Sequence, residues 1–224
     1  MVSVGAMTVA LSVAASMLGA AGPAPRHGGV VTGVVEGTVT LHLPAPRRSA
    51  SRYPGGATRP HQVQPVPAVV FIRGAVAGAP IRTDNATAVL AQQDTAFVPA
   101  AMLVQVGTTV RFPNEDSFFH NVFSYSAAAR FDLGRYPRGE AKTLRFDEPG
   151  IVKVYCEVHE FMRAVVVVTE NPFYAVVGED GRFRLDGVPA GTYTVVFWHP
   201  DVEEVEQTVV VPEGGVARVS VELG

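Results

Sequence analysis

The 224-residue chain contains one cysteine, one tryptophan and only two lysines beside 16 arginines. A single cysteine excludes an internal disulfide framework, a cysteine-rich structural zinc site, an iron–sulfur cluster and a C-x-x-C redox pair. No stretch keeps a sustained helical period of apolar residues. The net charge of −3 provides no basic footprint for nucleic acid. Charge is also missing from the beginning, where no charged side chain precedes Arg26. Residues 1–22 are small and apolar and end near Leu18-Gly19-Ala20-Ala21, which reads as an export signal. A retained membrane anchor is the alternative, because the run is just long enough to span a bilayer. Membrane contact is expected only through this segment if it is uncleaved.

What is present is a chain able to bury a core. It is 47% hydrophobic and 17% charged, and its 22 glycines and 17 prolines point to many turns between short strands. Residues 44–67 hold six prolines, four arginines and no acid. That composition predicts a basic, extended loop. Setting its arginines aside leaves 14 basic against 21 acidic residues, or −7 on the remainder. After the loop, runs rich in Val, Thr and Phe alternate with Gly, Pro, Asn and Asp. Strands are expected over 87–92, 102–106, 108–113, 121–125, 142–146, 151–155 and 163–169, with a short one near 131–133. A further set covers 175–177, 182–185, 192–198, 206–211 and 217–222, and two more, 34–43 and 68–73, lie at the front. The fold class is therefore all-β.

The chemistry concentrates in VYCEVHEFMRAVVVV, between two expected strands. Cys156, His159 and Met162 are spaced as C-x2-H-x2-M, so a hairpin-like loop would turn all three toward one centre. Thiolate, imidazole and thioether are soft ligands that suit copper in both oxidation states. A trigonal Cys-His-His site with a weak axial Met needs a second imidazole. His120, in FPNEDSFFHNVFSYS, offers it. His27, His42, His61 and His199 lack this context. A metal-free core, a zinc site and a reactive thiol are the competing readings, although no third group to orient a catalytic Cys-His pair is visible.

The stretch AFVPAAMLVQVGTTVRFPNEDSFFHNVFS is similar to the plastocyanin run that leads to its first copper histidine. CEVHEFMRAVVVV resembles the short ligand loop of amicyanin, with Val158 and Glu160 where that loop carries prolines. The chain thus resembles the cupredoxins, the blue copper family, whose fold is a Greek-key β-barrel. The resemblance implies one type 1 copper ion held by His120, Cys156, His159 and Met162, and one-electron transfer rather than enzymatic catalysis. It also implies a partly exposed His159 facing a transient redox partner. Asn121 would tie the His120 strand to the ligand loop, while Phe118, Phe161, Glu157 and Glu160 would form the docking patch. Copper binding or handling, or surface adhesion with incidental redox, is the alternative function.

The segment FYAVVGEDGRFRLDGVPAGTYTVVFWHPDVEEVEQTVVV is similar to carboxypeptidase-regulatory-like β-sandwich modules, with Asp180-Gly181 suited to a tight turn. Its five strands leave an open edge. GVVEGTVTLHL and PVPAVVFIRG resemble the start of such a module. The expected organisation is an export segment over 1–22, N-terminal strands in 30–74, a copper domain over 75–170 and a sandwich over 171–224 that 30–74 completes. The simpler alternative is a barrel with an N-terminal extension, followed by a small sandwich. Trp198 is expected in the sandwich core. Asn85-Ala86-Thr87 matches a glycosylation acceptor, but the excess of arginine over lysine points to a GC-rich bacterial genome. The expected destination is then the periplasm or cell surface.

Overall fold

The structure, a computed structural model, describes residues 30–44, 63–80 and 86–224. The expected export segment, most of the arginine-rich loop and Asn85 lie outside the described residues. No helix occurs among those described. The first strands are β1 (Thr32–Leu41), β2 (Val69–Ile72), β3 (Thr87–Val89), β4 (Ala91–Gln93) and β5 (Ala96–Val98). There follow β6 (Ala101–Gln105), β7 (Thr108–Pro113), β8 (His120–Ser126), β9 (Ala129–Tyr136) and β10 (Ala141–Phe146). Strands β11 (Gly150–Tyr155) and β12 (Arg163–Thr169) flank the C-x2-H-x2-M loop. The chain ends with β13 (Tyr174–Val176), β14 (Arg182–Pro189), β15 (Gly191–Trp198), β16 (Val205–Val211) and β17 (Val216–Leu223).

Two layers form the body that carries the chemistry. One sheet runs β10-β7-β3 and the other β6-β12-β11-β8-β9. Between them lies a core that includes Phe97, Val110, Phe112, Val122, Phe146, Val152 and Val154. Cys156 and Met162 belong to the same cluster, so two of the candidate ligands are set into its apolar packing.

The second body is a sandwich of a β14-β1-β17 sheet and a β13-β2-β15-β16 sheet. The C-terminal strands do not stand alone. Strand β1 lies between β14, antiparallel, and β17, parallel, while β2 lies between β13 and β15. Gly37 of β1 is needed for that closeness, since a Cβ there would fall 1.7 Å from the Val219 carbonyl oxygen.

Strand β12 belongs to both bodies. Ala164, Val166 and Val168 face the first core. Val165 and Val167 face a separate cluster with Val69, Phe71, Val196, Trp198 and Ala101. A strand covered on both sides reads as an unbroken apolar run rather than an alternating one, which accounts for AVVVV. Trp198 is 7% exposed in this junction.

Candidate metal centre

The register of three strands assembles the centre. Tyr155 of β11 pairs with Arg163 of β12, so residues 156–162 form the connection beyond that last pair. Strand β8 lies beside β11, with Tyr155 opposite Phe123. His120, the first residue of β8, therefore comes alongside the loop. The Met162 amide donates to the His159 carbonyl at 3.0 Å and closes the loop's second half. The Glu157 amide donates to Asn121 Oδ1 at 2.7 Å, which joins β8 to the first half. The last described residues of the arginine-rich loop also reach this end, where the Gln64 amide donates to the Phe161 carbonyl.

Ligating atoms of His120, Cys156 and His159 all lie within 4.8 Å of one another. His120 Nδ1 is 3.6 Å from Cys156 Sγ and 3.2 Å from His159 Nδ1. His120 is fully buried and Cys156 is 3% exposed. His159 is half-buried, so it is the imidazole nearer to solvent. Met162 is buried in the same apolar cluster as Cys156. Phe118 is 43% exposed, and its ring centroid lies 5.2 Å from that of His120 and 5.6 Å from that of His159. The Phe161 ring lies 5.6 Å from His159. Phe119 and Val158 are exposed as well. Glu160 is exposed, whereas the Glu157 carboxylate is offset by Arg135 at 3.1 Å.

The expectation that no third group orients the Cys-His pair is corrected here. Asp116 Oδ2 lies 2.8 Å from His120 Nε2. The same carboxylate accepts the amides of Asp94 at 2.7 Å and Thr95 at 2.9 Å, from the left-handed turn between β4 and β5. Its own amide donates to Asn114 Oδ1, while Asn114 Nδ2 donates to the Phe118 and Tyr136 carbonyls. Burial alone would raise the Asp116 pKa, but the Thr95 amide, His120 and the Asp94 amide together hold it below the usual carboxylate value. With a carboxylate on Nε2, that nitrogen carries the proton and Nδ1 presents its lone pair toward Cys156, an assignment that follows from the hydrogen-bond network. Cys156, 3% exposed, is set into the apolar core beside the imidazoles. Sequence reading missed Asp116 because an acid four residues before a histidine looks like any solvated loop residue.

The other described histidines stand apart from this cluster. His42 is exposed, and His199 is buried with Nε2 donating to the Val66 carbonyl at 2.9 Å. His27 and His61 lie outside the described residues.

A two-sheet β-body whose end gathers a thiol and two imidazoles, with a buried thioether in the same apolar cluster, carries a set of donors able to hold a metal ion. Residues 85–169 match the family model of copper binding proteins of the plastocyanin/azurin family. Residues 161–224 match that of the carboxypeptidase regulatory-like domain. The chain thus carries a cupredoxin-like copper-binding domain and a carboxypeptidase regulatory-like domain. A variant of amicyanin in its Cu(I) form is 28% identical with a TM-score of 0.35, the match covering 39% of this chain and 85% of that one. A reduced variant of the same protein is 29% identical, with the same TM-score and coverage. A copper-containing nitrite reductase from Thermus scotoductus SA-01 is 25% identical with a TM-score of 0.36, covering 44% of this chain and 25% of that one. No curated protein matches the chain.

Proposed function

We propose that this is an exported type 1 copper protein that carries single electrons to or from a transient redox partner. The observation that carries the reading is the convergence of Cys156, His120 and His159 within 4.8 Å, in a chain with no second cysteine. Thiolate plus two imidazoles, with a thioether from Met162, is the donor set of a blue copper site. Bound copper would cycle between Cu(I) and Cu(II).

The chain's own residues supply the rest. The buried β8 and β11 ends hold His120 and Cys156 in place whichever oxidation state is bound, which keeps reorganisation small. Four protein donors leave no position for a substrate, unlike a catalytic metal site with its open coordination place, so the reading is a carrier and not an enzyme. His159 is the route to the surface. Around it Phe118 and Phe161 form an apolar rim, with Glu160 the acid least offset. Such patches suit redox encounters, whose interfaces fall below about 1,200 Å². The acidic body favours a basic partner. The apolar opening of the chain supports export to the periplasm or cell surface.

Copper titration of the purified protein tests the proposal. The expected result is one equivalent bound, with intense blue absorption and a narrow-hyperfine EPR signal that reductant abolishes and oxidant restores. Cys156→Ser removes the colour while leaving the far-UV circular dichroism unchanged. A colourless complex with ordinary copper EPR refutes the carrier and leaves copper handling or adhesion.

A further inference from the structure

We propose that Asp116 is a positioning residue of the metal centre: it locks the His120 ring through Nε2 and places a fixed negative charge behind it that favours Cu(II) over Cu(I). The inference rests on the copper reading above and goes beyond it by assigning control of the oxidation-state balance to a residue outside the donor set.

The geometry shows a carboxylate built to stay where it is. Asp116 is 9% exposed, and both of its oxygens are engaged. Oδ1 takes the Asp94 amide, and Oδ2 takes both the Thr95 amide and His120 Nε2. Asn114 fixes its backbone from the other side. None of these partners is a lysine or arginine, and among the described residues the ion pair of this carboxylate is with His120. The ring that this carboxylate holds is the one whose other nitrogen faces Cys156 and His159.

Two effects follow at Nδ1. A hydrogen bond from an imidazole to a carboxylate is stronger than one to a neutral acceptor, and it makes the far nitrogen a better donor. A fixed anion at one ring's distance also stabilises the more highly charged metal ion, where low dielectric leaves the interaction poorly screened. Both effects strengthen binding of Cu(II) more than of Cu(I). A neutral acceptor in the same place would orient the ring equally well and lack the second effect. The charge and the positioning can therefore be separated.

Asp116→Asn separates them. Its amide oxygen can occupy the Oδ2 place and keep the Thr95 and His120 bonds, while the charge is gone. The Asp94 amide loses its acceptor, since Nδ2 is a donor, a structural loss that weakens both oxidation states alike. Cu(II) affinity is expected to fall about 10- to 100-fold, the usual cost of altering a group behind a ligand, and Cu(I) affinity much less. Each tenfold change in that ratio raises the reduction potential by about 59 mV for a one-electron couple. A merely structural role weakens both oxidation states alike and leaves the potential in place. An unchanged potential in a blue Asp116→Asn protein therefore overturns this inference alone. A wild-type protein that forms no blue complex overturns the copper reading and this one with it. If Asp116→Asn does not fold, nitrogen NMR of the diamagnetic wild-type Cu(I) protein decides. A slowly exchanging proton on His120 Nε2 supports the inference, and a proton in free exchange with solvent overturns it.

Discussion

Replacing Trp198 with alanine tests whether the copper barrel and the sandwich fold as one unit. The side chain is 7% exposed and clusters with Val165 and Val167 of β12, Phe71 of β2 and Ala101 of β6. In β15 it pairs in register with Val69, and the Lys153 ammonium lies 5.9 Å from its ring centroid. Removing a buried tryptophan costs about 3–5 kcal/mol, a large share of a domain stability of about 5–15 kcal/mol. Because β12 begins one residue after Met162, the loss should reach the copper loop. Built on the proposed blue copper site, the assay is urea unfolding of the copper-loaded protein, followed in parallel by far-UV circular dichroism and by the blue absorption. With an m-value of about 2 kcal/mol/M, both midpoints should fall together by roughly 1–3 M. An unmoved blue midpoint, with circular dichroism split into two steps, would refute the reasoning and show two independently stable bodies.

Gly37→Ala should cost at least about 1 kcal/mol despite alanine's lower backbone entropy. The new Cβ would meet main-chain atoms of β17, which cannot rotate away, and equal urea midpoints for variant and wild type would contradict this. His199 supplies a pH dependence. Burial lowers its pKa against the opposing pull of the Val66 hydrogen bond, and its Nδ1 accepts the Asp201 amide at 3.2 Å, a bond that protonation destroys. Its contribution is therefore complete above the unfolded value near 6.5 and is lost as pH falls from there toward the depressed folded value. In the copper-free protein, wild type should lose up to about 1.4 kcal/mol per pH unit relative to His199→Gln between pH 6.5 and 5. Parallel pH profiles for the two proteins would remove His199 as the cause.

The gathering of Cys156 and His159 with His120 was legible because C-x2-H-x2-M sets thiol, imidazole and thioether at a regular spacing within seven residues of one loop. Strands β7 and β12 matched their expected bounds, since both are uninterrupted and end at turn residues. The run 87–92 was read as one strand but is divided at Leu90, whose amide bonds the Arg111 carbonyl. Its two halves then enter different sheets, a choice set by partners that no local pattern reveals. Strand β9 is longer than its expected core of 131–133 because Gly134, at φ 69°, sits inside it and breaks the alternation that marks a strand. Strand β5 was missed because three residues after a turn carry no period. The apolar run of β12 showed a buried strand, but not that two cores share it.

Strand β1 is near the beginning of the chain and one of its two neighbours is near the end. Thr38 Oγ1 of β1 meets Ser220 Oγ of β17, 182 positions later. At a synthesis rate of 5–20 residues per second, β1 leaves the ribosome roughly 10–40 s before β17 exists. Until β14 is made late in that interval, Val35 and Val39, both buried in the finished sandwich, have no sheet to join, while strands β3–β12 find all their partners among themselves. The order of the strands along the chain thus leaves the β3–β12 body complete in its pairings before the sandwich can close. The waiting strand is the stretch where premature pairing with another copy would begin.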